Sequence, residues 1–184
     1  MTKTTAKLTL QDWLKAGLTL LGHEGEKALT LESLCRATKR TKGSFYHHFK
    51  NHNDFVEALL QYWRAEHTIR VIQAVEQLPT PEARRKGLDR LAASLDSQVE
   101  RAVRRWAGVD ERAAATLAQV DQQRIEYLTT LIMELGQPNK ADAYELAVVE
   151  YAYFVGIQHL FPDAEPQWIE KLSDRLTSLI STTE

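Results

Sequence analysis

Cations and hydroxyls crowd into one short stretch near the amino end of the chain, from Thr30 to Lys50. Arg36, Lys39, Arg40, Lys42 and Lys50 supply positive charge, and Thr30, Thr41, Ser44 and Tyr46 supply O–H groups. That set of side chains suits phosphate oxygens and the hydrogen-bonding edges of bases. Other chemistry lacks its residues. No Gly-rich phosphate loop, G-x-S-x-G, H-E-x-x-H or E-x-x-H pair occurs. His47, His48 and His52 lie close together, but they lack a third ligand and a supporting shell. No catalytic residue, metal or cofactor is therefore expected.

Two short helices must hold the cationic stretch. Thr30 and Thr41 have the hydroxyl and the position of N-caps. Leu31, Leu34 and Cys35 make one narrow apolar stripe, and Phe45, Tyr46 and Phe49 follow with the same spacing. Capped helices with apolar inner faces and a basic outer face predict a helix-turn-helix whose second helix enters a major groove. Upstream, Thr9 caps a helix with the stripe Leu10, Trp13, Leu14, Gly17, Leu18 and Leu21, the third wall of such a head. Residues 1–8, with Lys3 and Lys7, read as a basic arm.

The second helix, Thr41-Lys42-Gly43-Ser44-Phe45-Tyr46-His47-His48-Phe49, resembles the recognition-helix signature of the tetracycline-repressor (TetR) family of transcriptional regulators. Leu10 to Gly25 resembles that family's first helix, and Asn51-His52-Asn53-Asp54 the start of its fourth. Two positions depart from the pattern. Lys39 stands where the family usually has Gly in the turn, and Arg40 where it has a small apolar residue. Either the turn geometry differs, or the chain tolerates roughly 1–2 kcal/mol of strain.

The resemblance implies an all-α chain of about nine helices. A three-helix DNA-binding head would occupy 1–50, and an effector-binding and dimerisation body 51–184. Within the head it implies that Thr30, Tyr46, Lys50 and His52 hold phosphates, with the helix start at Thr41 assisting. Lys42, Ser44 and His47 would face base edges, and Lys39 and Arg40 would add contacts from the turn. The implied function is a homodimeric repressor, released from a palindromic double-stranded operator by a small effector. Two alternatives stay open: the same fold governed by a protein partner, and a helical enzyme whose basic head is incidental.

Charge is distributed accordingly. The formal net charge is -2, yet residues 1–50 hold nine Lys/Arg against four Asp/Glu, and the rest hold fourteen against twenty-one. Only the amino-terminal end should be drawn to a polyanion. Cys35 is the single cysteine, which excludes a disulfide framework. Met1 to Thr9 is polar, and Asp12 and Lys15 interrupt the next apolar run, so no signal peptide is read and a cytoplasmic protein is expected.

Beyond residue 50 the pattern stays helical. Asn51 and Asp54 open a long helix from His52 to about Gln77, able to carry a tilt from one end to the other. Pro81 starts the next, with a break near Ser97; Gly108 and Asp110 separate it from a helix closed by Gly136 and Pro138. Trp63, His67, Trp106 and Tyr127 are large amphipathic side chains on these middle helices and are the candidates for lining an effector pocket. Ala141 to Phe161 is apolar on nearly every side, yet Asp142, Glu145 and Glu150 exclude a membrane span. A helix of this kind needs cover on all sides. With the last helix from Pro166 it suggests a four-helix interface between two chains. Tyr151, Phe154, Gly156, Trp168, Leu172 and Leu176 are its candidate residues.

Overall fold

The computed structural model describes residues 9–137 and 139–181. The arm at Lys3 and Lys7, and Pro138, lie outside the described residues. The chain is all-α, and the described residues contain no strand.

Each early helix begins where a side chain replaces the missing backbone partners. In α1 (Leu10–Glu24) Thr9 and Asp12 form a reciprocal capping box, and Gly25 ends the helix at φ 81°. The Thr30 hydroxyl accepts from the Ser33 N–H at the start of α2 (Leu31–Thr38). Thr41 does the same for Ser44 ahead of α3 (Lys42–Tyr46). Asn51 accepts from the Asp54 N–H to open α4 (His52–Arg64). Such caps each contribute about 1 kcal/mol.

The helical path then continues without a break through a π stretch (Ala65–Ile69) into α5 (Arg70–Val75). There the Arg70 N–H bonds to Ala65 O, one residue further back than an α-helix allows. Next come α6 (Pro81–Ser94), α7 (Ser97–Ala107), α8 (Glu111–Glu134), α9 (Lys140–Leu160) and α10 (Pro166–Ser181). Counting α4, the π stretch and α5 as one, and apart from a 3-10 turn at Glu26–Ala28, the described residues form nine helices.

Two compact units emerge. The first comprises residues 9–63 with Gln98–Ala115, the second Arg64–Ser97 with residues 116–181. Trp13, Phe45, Phe49 and Phe55, each no more than 2% exposed, centre the first. Phe45 meets the Trp13 ring edge-on at 5.5 Å and Phe49 at 5.0 Å, and Phe49 meets Phe55 at 5.2 Å. This cluster locks α3 against α1 and α4, with burial and ring geometry both contributing. Helix α1 comes so close to α4 that a Cβ on Gly17 would lie 2.8 Å from Phe55 Cζ. Leu10, predicted in the α1 stripe, is 41% exposed, because it sits one residue past the cap and outside this packing.

The second unit packs Ile132, Ala143 and Ala147 against Ile125, Leu128 and Leu146. It also buries charge. Arg85 pairs with Asp89 at 3.2 Å and with Glu150, which is 8% exposed. Arg124 donates to Thr68 Oγ1 at 3.0 Å, to the His67 carbonyl at 3.2 Å and to the Tyr151 hydroxyl at 3.1 Å. A carbonyl of the π stretch thus has a half-buried cation as its partner.

Candidate nucleic-acid interface

Helix α3 is short, and its two sides differ completely. Phe45 and Phe49 point into the aromatic core, while Lys42, Gly43, Tyr46 and His47 are exposed. Tyr46 is 56% exposed, large for an aromatic, and its ring rests edge-on against Phe45 at 5.5 Å. The inward phenylalanines fix the helix rotationally and hold the outward residues in place. Ser44 is half-buried.

Between α2 and α3 the turn hinges on Lys39. Its backbone is left-handed, φ 55° and ψ 42°, and it is the only non-glycine at positive φ among the described residues. The turn therefore keeps a geometry suited to glycine and accommodates a lysine there. Its N–H bonds to Arg36 O, and the Arg40 N–H to Cys35 O, which closes α2. Lys39 is exposed and Arg40 half-buried.

Round this face stand Thr30, Arg36, Thr41 and Lys50, all exposed. Thr30 and Thr41 have their hydroxyl oxygens engaged as caps, so an approaching anion meets the helix starts with their backbone N–H groups. Arg36, one of the cations of the stretch, shares the Ser33 hydroxyl with Thr30, although the resemblance assigns it no DNA contact. Burial pushes the Cys35 thiol above its ordinary range, and nearby Lys42 acts the other way.

His52, expected to hold a phosphate, is exposed and also makes a contact within the head. Its Nε2 donates to the carbonyl of Leu29, the residue before the α2 cap. His47 is exposed, with its ring edge-on to His48 at 5.1 Å. Among the described residues no three His, Cys, Asp or Glu side chains are grouped to hold a metal.

The other expected site residues fall in both units. Trp63 (0% exposed) and Trp106 (5%) belong to the core of the first unit. His67 and Tyr127 are half-buried residues of the second. Tyr127 donates to Glu76 Oε1 at 2.6 Å, and burial together with that carboxylate pushes its phenol well up. On α9, Tyr151 faces inward: it is 7% exposed, and its hydroxyl bonds to Asp121 and Arg124 of its own chain. Phe154, Leu172 and Leu176 are half-buried, Trp168 is 40% exposed, and nothing lies within 4 Å of a Cβ built on Gly156. Tyr144, Val148, Val149 and Leu160 on α9, and Phe161 at its end, are also exposed. No helix among the described residues is long and apolar enough to cross a membrane.

Comparison with known proteins bears on this arrangement. Residues 14–59 match the family model described as bacterial regulatory proteins, tetR family. The transcriptional regulator AcuR of Cereibacter sphaeroides is 38% identical over 56 residues, 30% of this chain and 26% of AcuR. The chain thus spans about a quarter of the length of the curated relative it matches. A transcriptional regulator from Rhodococcus sp. Rha1 superposes with a TM-score of 0.78 at 15% identity, covering 94% of this chain and 96% of that one. AibR in complex with isovaleryl coenzyme A and operator DNA superposes at 0.61 and 17% identity, covering 88% and 94%. The tetR-family match thus covers the helix-turn-helix residues, and the superpositions show a shared fold over nearly the whole chain.

Proposed function

We propose that this chain, with its tetR-family amino-terminal domain, is a cytoplasmic homodimeric regulator that binds a palindromic operator and releases it on taking up a small effector. One observation carries the reading. Phe45 and Phe49 anchor α3 so that Lys42, Tyr46 and His47 stand outward beside a left-handed turn bearing Lys39. Tyr46, Lys50 and the helix starts at Thr30 and Thr41 take phosphates; Lys42, Ser44 and His47 face base edges.

Pairing through α9 and α10 would cover Val148, Val149, Leu160 and Trp168, whose exposure is otherwise costly. Two recognition helices held at a fixed span suit half-sites ~34–36 Å apart. The effector acts only through a difference in affinity between two conformations of the body, since equal affinity shifts nothing. AibR, solved in complex with isovaleryl coenzyme A and operator DNA, shows that one protein of this fold takes both kinds of ligand.

Selection of bound fragments from the organism's own genomic DNA tests the proposal. It should return a palindrome whose affinity falls steeply with salt, by a slope of about -0.9 per phosphate neutralised. Lys42→Ala and Tyr46→Ala should each weaken that binding. A chain that retains no duplex at low salt overturns the reading.

A further inference from the structure

We infer that the second unit carries a site for a small zwitterion, one bearing a carboxylate and an ammonium group a few bonds apart. A groove of about 340 Å³ is lined by Arg64, Gln119, Gln122, Gln123 and Glu126. The last four are spaced three, four and seven residues apart on α8, and so share one helix face. Their side chains form a wall of amides with one cation and one anion.

The two charges do not meet. Arg64 donates to Gln119 Oε1 at 3.4 Å, and to Gln123 Oε1 at 3.4 and 3.3 Å. These are long for N–H···O bonds, and both acceptors are neutral. Glu126 accepts from Gln122 Nε2 at 2.8 Å. Neither charged residue makes an ion pair among the described residues. Arg64 has only weak bonds to give up, so a carboxylate can replace them with shorter, charge-assisted ones. Glu126 is exposed and takes an ammonium in the same way.

Spacing and composition select the class. Glu126 lies three residues beyond Gln123, about 5 Å along the axis at 1.5 Å per residue. A plain carboxylate would meet Glu126 with the wrong sign, and a plain amine would meet Arg64. A ligand with both groups satisfies both, and the glutamine amides take its remaining polar atoms. With no aromatic or aliphatic lining, little affinity comes from apolar burial, and charge must supply it.

As a binding site this stands apart from the DNA reading. As an effector site it rests on that reading, and the position is apt, because Arg64 directly precedes the π stretch. Calorimetry on the full chain with γ-aminobutyrate, ε-aminocaproate and L-glutamine, against butyrate and butylamine, tests it. At least one amino carboxylate should saturate the protein at millimolar concentration, with the single-charge controls weaker by about tenfold or more. Arg64→Gln and Glu126→Gln should each lose about tenfold. The exchanged pair Arg64→Glu with Glu126→Arg should recover binding with the ligand reversed, and far-UV dichroism verifies folding. The site is overturned if no amino carboxylate saturates, if a single-charge control binds equally well, or if both single variants bind as the parent does. Binding without release of operator DNA would uphold the site and remove only its effector role.

Discussion

The Nε2 of His52 donates to the carbonyl of Leu29, joining the first turn of α4 to the residue that precedes the α2 cap. Leu29 is 3% exposed, so water is a poor substitute for that partner. The bond pins the entrance of the helix-turn-helix to the helix that leaves it.

His52→Ala should accordingly destabilise the protein by about 1–3 kcal/mol, the cost of a buried acceptor left unpaired. Duplex binding should weaken while its salt slope stays unchanged, because Nε2 is already committed. A slope lowered by about 0.9, with no loss in thermal denaturation, would make phosphate contact the main role of His52.

Lys39→Gly separates strain from charge. Glycine adopts the left-handed backbone freely, whereas a side chain there costs about 1 kcal/mol. The variant should melt no lower than the parent, yet bind DNA more weakly and with a shallower salt dependence. Melting curves and anisotropy titrations on one preparation check both.

Gly17→Ala places a methyl 2.8 Å from Phe55 Cζ and 2.9 Å from Leu59 Cδ1. Both neighbours are fully buried, and the Phe55 ring is held by Phe45 and Phe49, so neither yields readily. Overpacking costs about 1–3 kcal/mol and exceeds the roughly 1 kcal/mol gained in helix propensity. Chemical denaturation should show a net loss.

Asp89 answers to pH. Burial raises its carboxyl above the ordinary 3.8, against the pull of Arg85, while Glu150 and Asp174 add to the rise. A raised acid binds its proton more tightly when folded, so stability falls as pH climbs from the ordinary value through the raised one. Asp89→Asn should flatten that fall. The two proteins should converge toward acid, and the variant should be at least as stable at neutral pH, as melting across pH 3–8 will report.

Local chemistry was legible in the residues, and long-range pairing was not. Thr9, Thr30, Thr41 and Asn51 all cap as their positions predict, because a cap involves only the next three residues. The break between α6 and α7 fell at Ser97 for the same local reason. By contrast, the left-handed backbone of Lys39 was one of two alternatives that the resemblance left open, since lysine itself does not ask for it. The π stretch hides likewise, as Ala65 to Ile69 are ordinary helix residues. Tyr151 was read only as an interface candidate on an apolar helix. The bonds of its hydroxyl to Asp121 and Arg124, partners 30 and 27 positions away, are ones no periodicity reveals. The cationic face of the head was readable because its inner phenylalanines fix its outer lysines. The amide groove was not, because one of its walls comes from Arg64, far along the chain.

Open space around Gly156 makes that position silent in a lone chain and audible in a pair. Nothing stands within 4 Å of a methyl placed there, so exchange for leucine should leave the solitary molecule unharmed, even firmer, since glycine is a poor resident of a helix interior. Two molecules pressed together along α9 would feel that bulk at once. Sedimentation of such a variant, hardier yet reluctant to associate, would distinguish what the helix needs for itself from what it reserves for a companion.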